Sequence, residues 1–163
     1  MLFRSLREAL LLQHQHAPEA PALLSEASMR LSESRQASPS NSRVGAECAR
    51  GLDAQASLAM DRGDLAEASR LNQLARDFLT PLAEGTLDDR TRLALAGAFL
   101  RHGMIRAAEG HPDQARQSWT KAHDLLQEPK APDLSFRRIE ILARLLGHLG
   151  RHNEARDRKS TRL

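Results

Sequence analysis

Apolar residues recur along most of this chain at the alternating three- and four-residue spacing of one helix face. From 44 to 62 they are Val44, Cys48, Leu52, Ala56 and Ala59, and the stripe stops at Gly63-Asp64. Leu65, Ala68, Leu71, Ala75 and Phe78 form a second stripe that ends near Pro81. TPLAEGTL, residues 80–87, reads as a turn region. A third helix is predicted from about Asp88 to Glu109, through Leu93, Ala96, Phe99 or Leu100, Gly103 and Ala107. Asp88 or Thr86 is placed to cap it, because a short side-chain oxygen satisfies backbone donors left without a partner in the first turn.

Gly110-His111-Pro112 ends that helix. Pro112 falls where proline is tolerated, in the first turn of the next one. This fourth helix carries Ala115, Trp119, Ala122 and Leu126. A fifth is expected from about Leu134 to Leu149 through Ile139, Leu142 and Leu146, broken by Gly150, with a sixth starting at Asn153-Glu154-Ala155. The first 36 residues read as weak helices interrupted by Pro18 and Pro21, since proline lacks the donor that a helix interior needs. SRQASPSNSR, residues 34–43, is polar and serine-rich, and its segment 37–43 reads as a flexible linker.

Composition strengthens the helical reading. The chain has one Val, three Ile, five Thr and no Tyr, so a sheet has little material to form from. Ala, Leu, Arg, Gln and Glu dominate, and these favour helix. An all-α fold of antiparallel helix pairs is the expectation.

Three predicted breaks share one pattern: RGDLAEA (62–68), EGHPDQA (109–115) and LGRHNEA (149–155). Each places a glycine five residues before an alanine: Gly63/Ala68, Gly110/Ala115 and Gly150/Ala155. Glycine lets the chain reverse sharply, having no Cβ to clash. An alanine where two helices come nearest keeps them close. In 110–129 the pattern continues with Trp119, Ala122 and Pro129, and upstream with Phe99 and Gly103.

These residues resemble a tetratricopeptide repeat, whose pattern places glycine, alanine, an aromatic and a second alanine in this order. The resemblance covers about residues 50–156. Gly63, Ala68 and Ala75 match in the earlier copy, where Asn72 stands in place of the aromatic. The glycines are more widely spaced than the family period of about 34 residues. The resemblance implies a stacked α-solenoid over 44–156 that acts as a protein–protein interaction scaffold, as part of a larger bacterial signalling or regulatory protein. It also implies a groove lined by the first helix of each pair, with Arg50, Asp53, Ser57, Met60, Gly97, Leu100 and Met104 facing a protein or peptide partner.

Charge and chemistry change this picture little. The 24 basic and 21 acidic residues leave a net charge of +3, and the two signs are interspersed along most of the chain. A nucleic-acid-binding helical module is the alternative, and a continuous positive stripe would be its mark. A third reading is a structural element packed on a neighbouring domain. The last seven residues, DRKSTRL (157–163), match the translation of sequencing-adapter DNA and are expected to be a non-native or disordered tail. Without them most of the net charge disappears.

Cys48 is the one cysteine. It lies on an apolar stripe and reads as a small buried hydrophobe. The seven histidines form no HExxH pair, and no phosphate-binding loop or GxSxG elbow occurs. Neither catalysis nor a cofactor or metal is expected. No stretch approaches the roughly 18 apolar residues of a membrane span. Arg4, Arg7 and Glu8 interrupt the apolar run at the N-terminus, which makes a poor signal peptide. A cytoplasmic location is the remaining expectation.

Overall fold

The computed structural model describes residues 2–14, 18–37, 41–83, 88–127 and 135–160. They form an all-α, multi-helix bundle. Its helices are α1 (Leu2–His14), α2 (Ala20–Ala37), α3 (Ser42–Asp61), α4 (Leu65–Ala83), α5 (Asp89–Ala108), α6 (Pro112–Leu125) and α7 (Ser135–Ser160). Each helix packs on the next. In addition α1 touches α3, α3 touches α5 and α5 touches α7.

The helix starts follow local side-chain chemistry. Asn41 precedes α3, and its Oδ1 accepts from the Val44 backbone N–H at 3.2 Å. Asp88 precedes α5 and accepts from the N–H groups of Arg90 and Thr91 and from the Thr91 hydroxyl. Burial works to raise the Asp88 pKa, but these bonds and one from Ser42 outweigh it and hold the carboxyl below its ordinary value.

α3–α4 and α5–α6 are joined by the same turn. Gly63 and Gly110 have φ of 77° and 82°, a left-handed conformation that glycine adopts without steric cost. Asp64 N–H bonds to Ala59 O at 2.9 Å and Gly63 N–H to Met60 O at 2.9 Å. In the second turn His111 N–H bonds to Arg106 O at 2.8 Å and Gly110 N–H to Ala107 O at 3.1 Å. Both are Schellman motifs, which satisfy carbonyls left open at a helix end. After the first turn Asp64 caps α4 by accepting from Glu67 N–H at 3.0 Å. After the second, Pro112 opens α6 in place of a side-chain cap.

The core is rich in alanine. Ala68, Ala75, Ala115 and Ala122 have no exposed surface, nor do Ala56, Ala59 and Ala96. Alanine contributes little transfer free energy but lets helix axes approach to about 8 Å. Larger side chains fill the gaps between layers. Leu6, Leu24, Val44 and Cys48 join α1, α2 and α3. Leu79 and Leu95 join α4 to α5. Leu93, Leu100, Trp119, Leu126, Ile141 and Leu145 join α5, α6 and α7.

Several elements differ from the sequence expectation. Gly150 does not break a helix, because α7 runs unbroken from Ser135 to Ser160. Gly150 lacks the left-handed φ of Gly63 and Gly110, and glycine alone only weakens a helix by about 1 kcal/mol. The third break and the sixth helix beginning at Asn153 are therefore absent, and residues 157–160 continue α7. The buried face of α7 is also turned from the expected one. Ile141 and Leu145 are buried, whereas Ile139 and Leu146 are 64% and 60% exposed. At the end of the second stripe, α4 passes through Pro81 to Ala83. Proline tolerates that position better than a helix centre, since few turns remain to disrupt. α2 extends to Ala37, into the serine-rich run. Pro21 sits in its first turn, where no N–H is needed. His16, Pro39, Thr86, Pro129 and Leu134 lie outside the described residues, as do the side chains of residues 151–163.

Candidate functional site

The residues expected to line a groove fall into two groups. Arg50, Asp53, Ser57 and Met60 on α3 are half-buried, as are Gly97 and Met104 on α5. Leu100 is a correction: only 6% of it is exposed, and it packs in the core with Trp119 and Leu126. A helix presents a face only about 100° wide to its neighbour. With Ala96, Gly103 and Leu93 already facing α6 and α7, Leu100 turns inward with them. Gly97 faces α7, where a Cβ would lie 3.9 Å from Ile141 Cδ1.

Helix pairing assembles a polar seam from the first group. Arg101 of α5 donates through Nε to Asp53 Oδ1 of α3 at 3.2 Å, and its Nη1 lies 4.0 Å from Met104 Sδ. Asp53 and Met104 are thereby brought to one guanidinium that the sequence reading did not single out. One turn before Asp53 on α3, Arg50 Nη1 donates to both Glu47 carboxylate oxygens, at 3.1 and 2.9 Å. The Arg50 Nε is buried without a hydrogen-bond partner. Acid and base alternate along this seam.

A second polar assembly lies where α4 and α6 flank α5. Arg106 Nε donates to His102 Nε2 at 3.2 Å. That nitrogen must therefore be an acceptor, which puts the imidazole proton on Nδ1. Nδ1 then donates to Ser118 Oγ at 2.8 Å, and the Ser118 hydroxyl donates to Gln114 O at 2.9 Å. Arg106 Nη1 also donates to Glu109 at 2.8 Å. The His102 pKa falls from 6.5 to about 4, first through burial and then through the charges of Arg76, Arg106 and Lys121.

Serine and histidine in contact suggest nucleophile activation, but the hydrogen bonds run the other way. A base must accept from the hydroxyl it activates, and here the imidazole donates to it. Ser118 is moreover buried. The cluster was invisible in sequence because its members come from two helices with no shared spacing. The one local signal is His102 and Arg106 four residues apart, on one helix face.

Trp119 and Cys48 are buried, as their stripes predict. His148 stacks on the Trp119 ring at 4.8 Å between centroids. Among the described residues no group of three His, Cys, Asp or Glu side chains is placed to hold a metal ion. Nor is any helix there long and apolar enough to cross a membrane. Comparison with known protein families, with curated proteins and with solved structures returns no match for this chain.

Proposed function

We propose that this chain is a tetratricopeptide-like repeat scaffold that holds a protein or peptide partner along the α3–α5 seam. The observation that carries the reading is the recurrence of one unit. The Gly63 and Gly110 turns share a Schellman geometry, and each is followed by two fully buried alanines, Ala68 and Ala75 or Ala115 and Ala122. The contacts of α1 with α3, α3 with α5 and α5 with α7 fit stacked pairs in which one helix of each pair faces a common groove. The wide spacing of Gly63 and Gly110 is accommodated by the long helices between them, α4 with 19 residues and α5 with 20.

The charge pattern favours a protein partner over nucleic acid. Arg50 pairs with Glu47, Arg101 with Asp53, Arg70 with Glu67 and Arg144 with Glu140. A surface of alternating sign gives specificity toward a folded or peptide partner, whereas a phosphate backbone calls for unpaired cations. In this proposal the module is non-catalytic, works in the cytoplasm and belongs to a larger regulatory or signalling protein. Photo-crosslinkers placed at Ser57, Met60 and, as a control, at Arg70 on the exposed side of α4 test it. A partner captured from Ser57 and Met60 but not from Arg70 supports the groove. Equal capture from all three, or capture from Arg70 alone, removes it.

A further inference from the structure

We propose that the outer face of α7 is a self-association surface, on which the α7 of a second copy of this chain packs antiparallel. The face is separate from the α3–α5 seam, and the proposal does not depend on that reading.

α7 is apolar on two opposite sides. On the inner side Ile141 and Leu145 are buried against the bundle, and His148 stacks on Trp119. At about 100° per residue, Ile139, Ala143, Leu146 and Gly150 fall together on the side directly opposite. All four are exposed, Ile139 by 64% and Leu146 by 60%. The half-buried Leu142 and Leu149 widen this apolar surface along one edge. A helix that is apolar on both sides is normally covered on both, and α5 and α6 cover only the inner one.

The size and charge of the outer residues fit a second copy. Their spacing of four, three and four residues is that of a coiled-coil seam. A two-fold axis between residues 144 and 145 sets Ile139 against the second copy's Gly150, and Ala143 against its Leu146. Symmetry repeats both contacts, so a large side chain meets a small one in every layer. A parallel pair would set Ile139 on Ile139 and Gly150 on Gly150, crowding one layer and leaving another empty. Nothing lies within 4 Å of a Cβ built at Gly147 or Gly150, which leaves room for the opposing Ile139. Glu140 and Arg144 are the only charged residues from 139 to 150, and they pair on their own helix at 3.0 Å. Two such faces do not repel, and neither has the cationic flank that holds an amphipathic helix on lipid. A seam of about three turns buries less than the ~1,200 Å² of a standard interface, so the dimer is weak and reversible.

The experiment is sedimentation equilibrium of the full chain from roughly 10 μM to 1 mM. The expected result is a mean mass that rises with concentration from the 18.1 kDa monomer toward twice that value. Leu146→Glu should raise the dimer Kd about tenfold or more. Leu146 is exposed, so this variant keeps its fold, which circular dichroism checks. Cross-linking then reads the orientation. Cys48 is buried and does not compete with introduced thiols. Copies carrying Ile139→Cys, mixed with copies carrying Gly150→Cys, should form the mixed disulfide several-fold faster than either forms its own. An 18.1 kDa mass at every concentration overturns the proposal, and a monomer that co-sediments with anionic lipid vesicles assigns the face to a membrane surface instead. A dimer that Leu146→Glu leaves unchanged also overturns it, by placing the contact elsewhere. Faster cross-linking of like copies removes the antiparallel arrangement.

Discussion

The Trp119 indole lies so close to Gly103 that a Cβ there would sit 2.2 Å from Nε1 and 2.4 Å from Cδ1. The same Nε1 donates to Leu100 O at 3.3 Å, so the ring is held edge-on against the α5 backbone. Gly103→Ala should therefore lower stability by about 1–3 kcal/mol through overpacking, despite a helix-propensity gain of about 1 kcal/mol. Trp119→Ala alone should cost about 3–5 kcal/mol. In that background the sign for Gly103→Ala should invert, because only the propensity gain remains. Urea denaturation of the four proteins measures this. A Gly103→Ala change that destabilises both backgrounds equally would show that the ring is not what the methyl meets.

Asn72 occupies in the first hairpin the position that Trp119 holds in the second. It is fully buried, donates from Nδ2 to Ala98 O at 2.9 Å, and leaves Oδ1 without a partner. Asn72→Asp would bury a carboxylate facing a carbonyl, and burial raises the pKa of such a group. A raised folded pKa means that stability is retained below the unfolded carboxyl value and lost as pH rises through the folded one. The variant should thus resemble the wild type near pH 3–4 and fall behind it toward neutral pH, where the deficit should reach about 2 kcal/mol or more. A pH-independent deficit would place the side chain in water.

How much of this was legible in sequence depended on whether the signal was local. The Gly63 and Gly110 turns, the Asp88 cap and the burial of Trp119 could be read because each needs only neighbours along one helix or turn. α7 could not be read in phase. Its apolar residues, Ile139, Ile141, Leu142, Leu145, Leu146 and Leu149, satisfy a helical spacing on more than one face, and only α5 and α6 decide which is covered. In the polar seam, Arg50 and Asp53 lie one turn apart on one helix and share a local spacing, but Arg101 joins Asp53 across 48 residues of chain, which no local pattern signals. His102, Arg106 and Ser118 carry no motif, since the packing of α6 on α5 brings them together.

His102 makes stability depend on acid. Its pKa is depressed in the folded state, so the unfolded chain binds its proton first as pH falls. The stability that the neutral ring supplies is present above about pH 6.5 and is lost progressively toward pH 4. The side chain is partly exposed, so the loss should be on the order of 1–2 kcal/mol, below the full linkage value. Protonation would also remove the Arg106 Nε–H bond to Nε2. His102→Gln should flatten the slope of stability between pH 6.5 and 4. An unaltered slope would assign the acid sensitivity to other groups.

The Asp53–Arg101 pair links α3 to α5 with both partners largely covered: 22% and 11% of the side chains remain exposed. A pair in that setting is screened less than a surface pair. A double-mutant cycle of Asp53→Asn and Arg101→Gln should return a coupling of about 1 kcal/mol, weakened only slightly by salt. For comparison, Glu67 and Arg70, whose pair is more exposed, should couple by no more than about 0.5 kcal/mol and lose most of that in salt. A near-zero cycle for Asp53 and Arg101 would remove the seam's one ion pair between helices among those described above.

Alanine at three glycines should divide turn from helix. Gly110 and Gly63 hold left-handed backbone, where a Cβ meets the chain's own carbonyl, so Gly110→Ala and Gly63→Ala should each cost about 1 kcal/mol or more. Neither has a neighbour within 4 Å of the added Cβ, and neither does Gly150, so packing is the same nearly empty term in all three. What differs is φ. Gly150 lies within α7, and Gly150→Ala should stabilise by about 0.5–1 kcal/mol and raise helical circular dichroism. If Gly150 marked a third hairpin turn, its substitution would instead lower stability as at Gly110. The sign at residue 150 alone therefore decides whether the recurring sequence pattern becomes a turn there or is absorbed into a continuous helix.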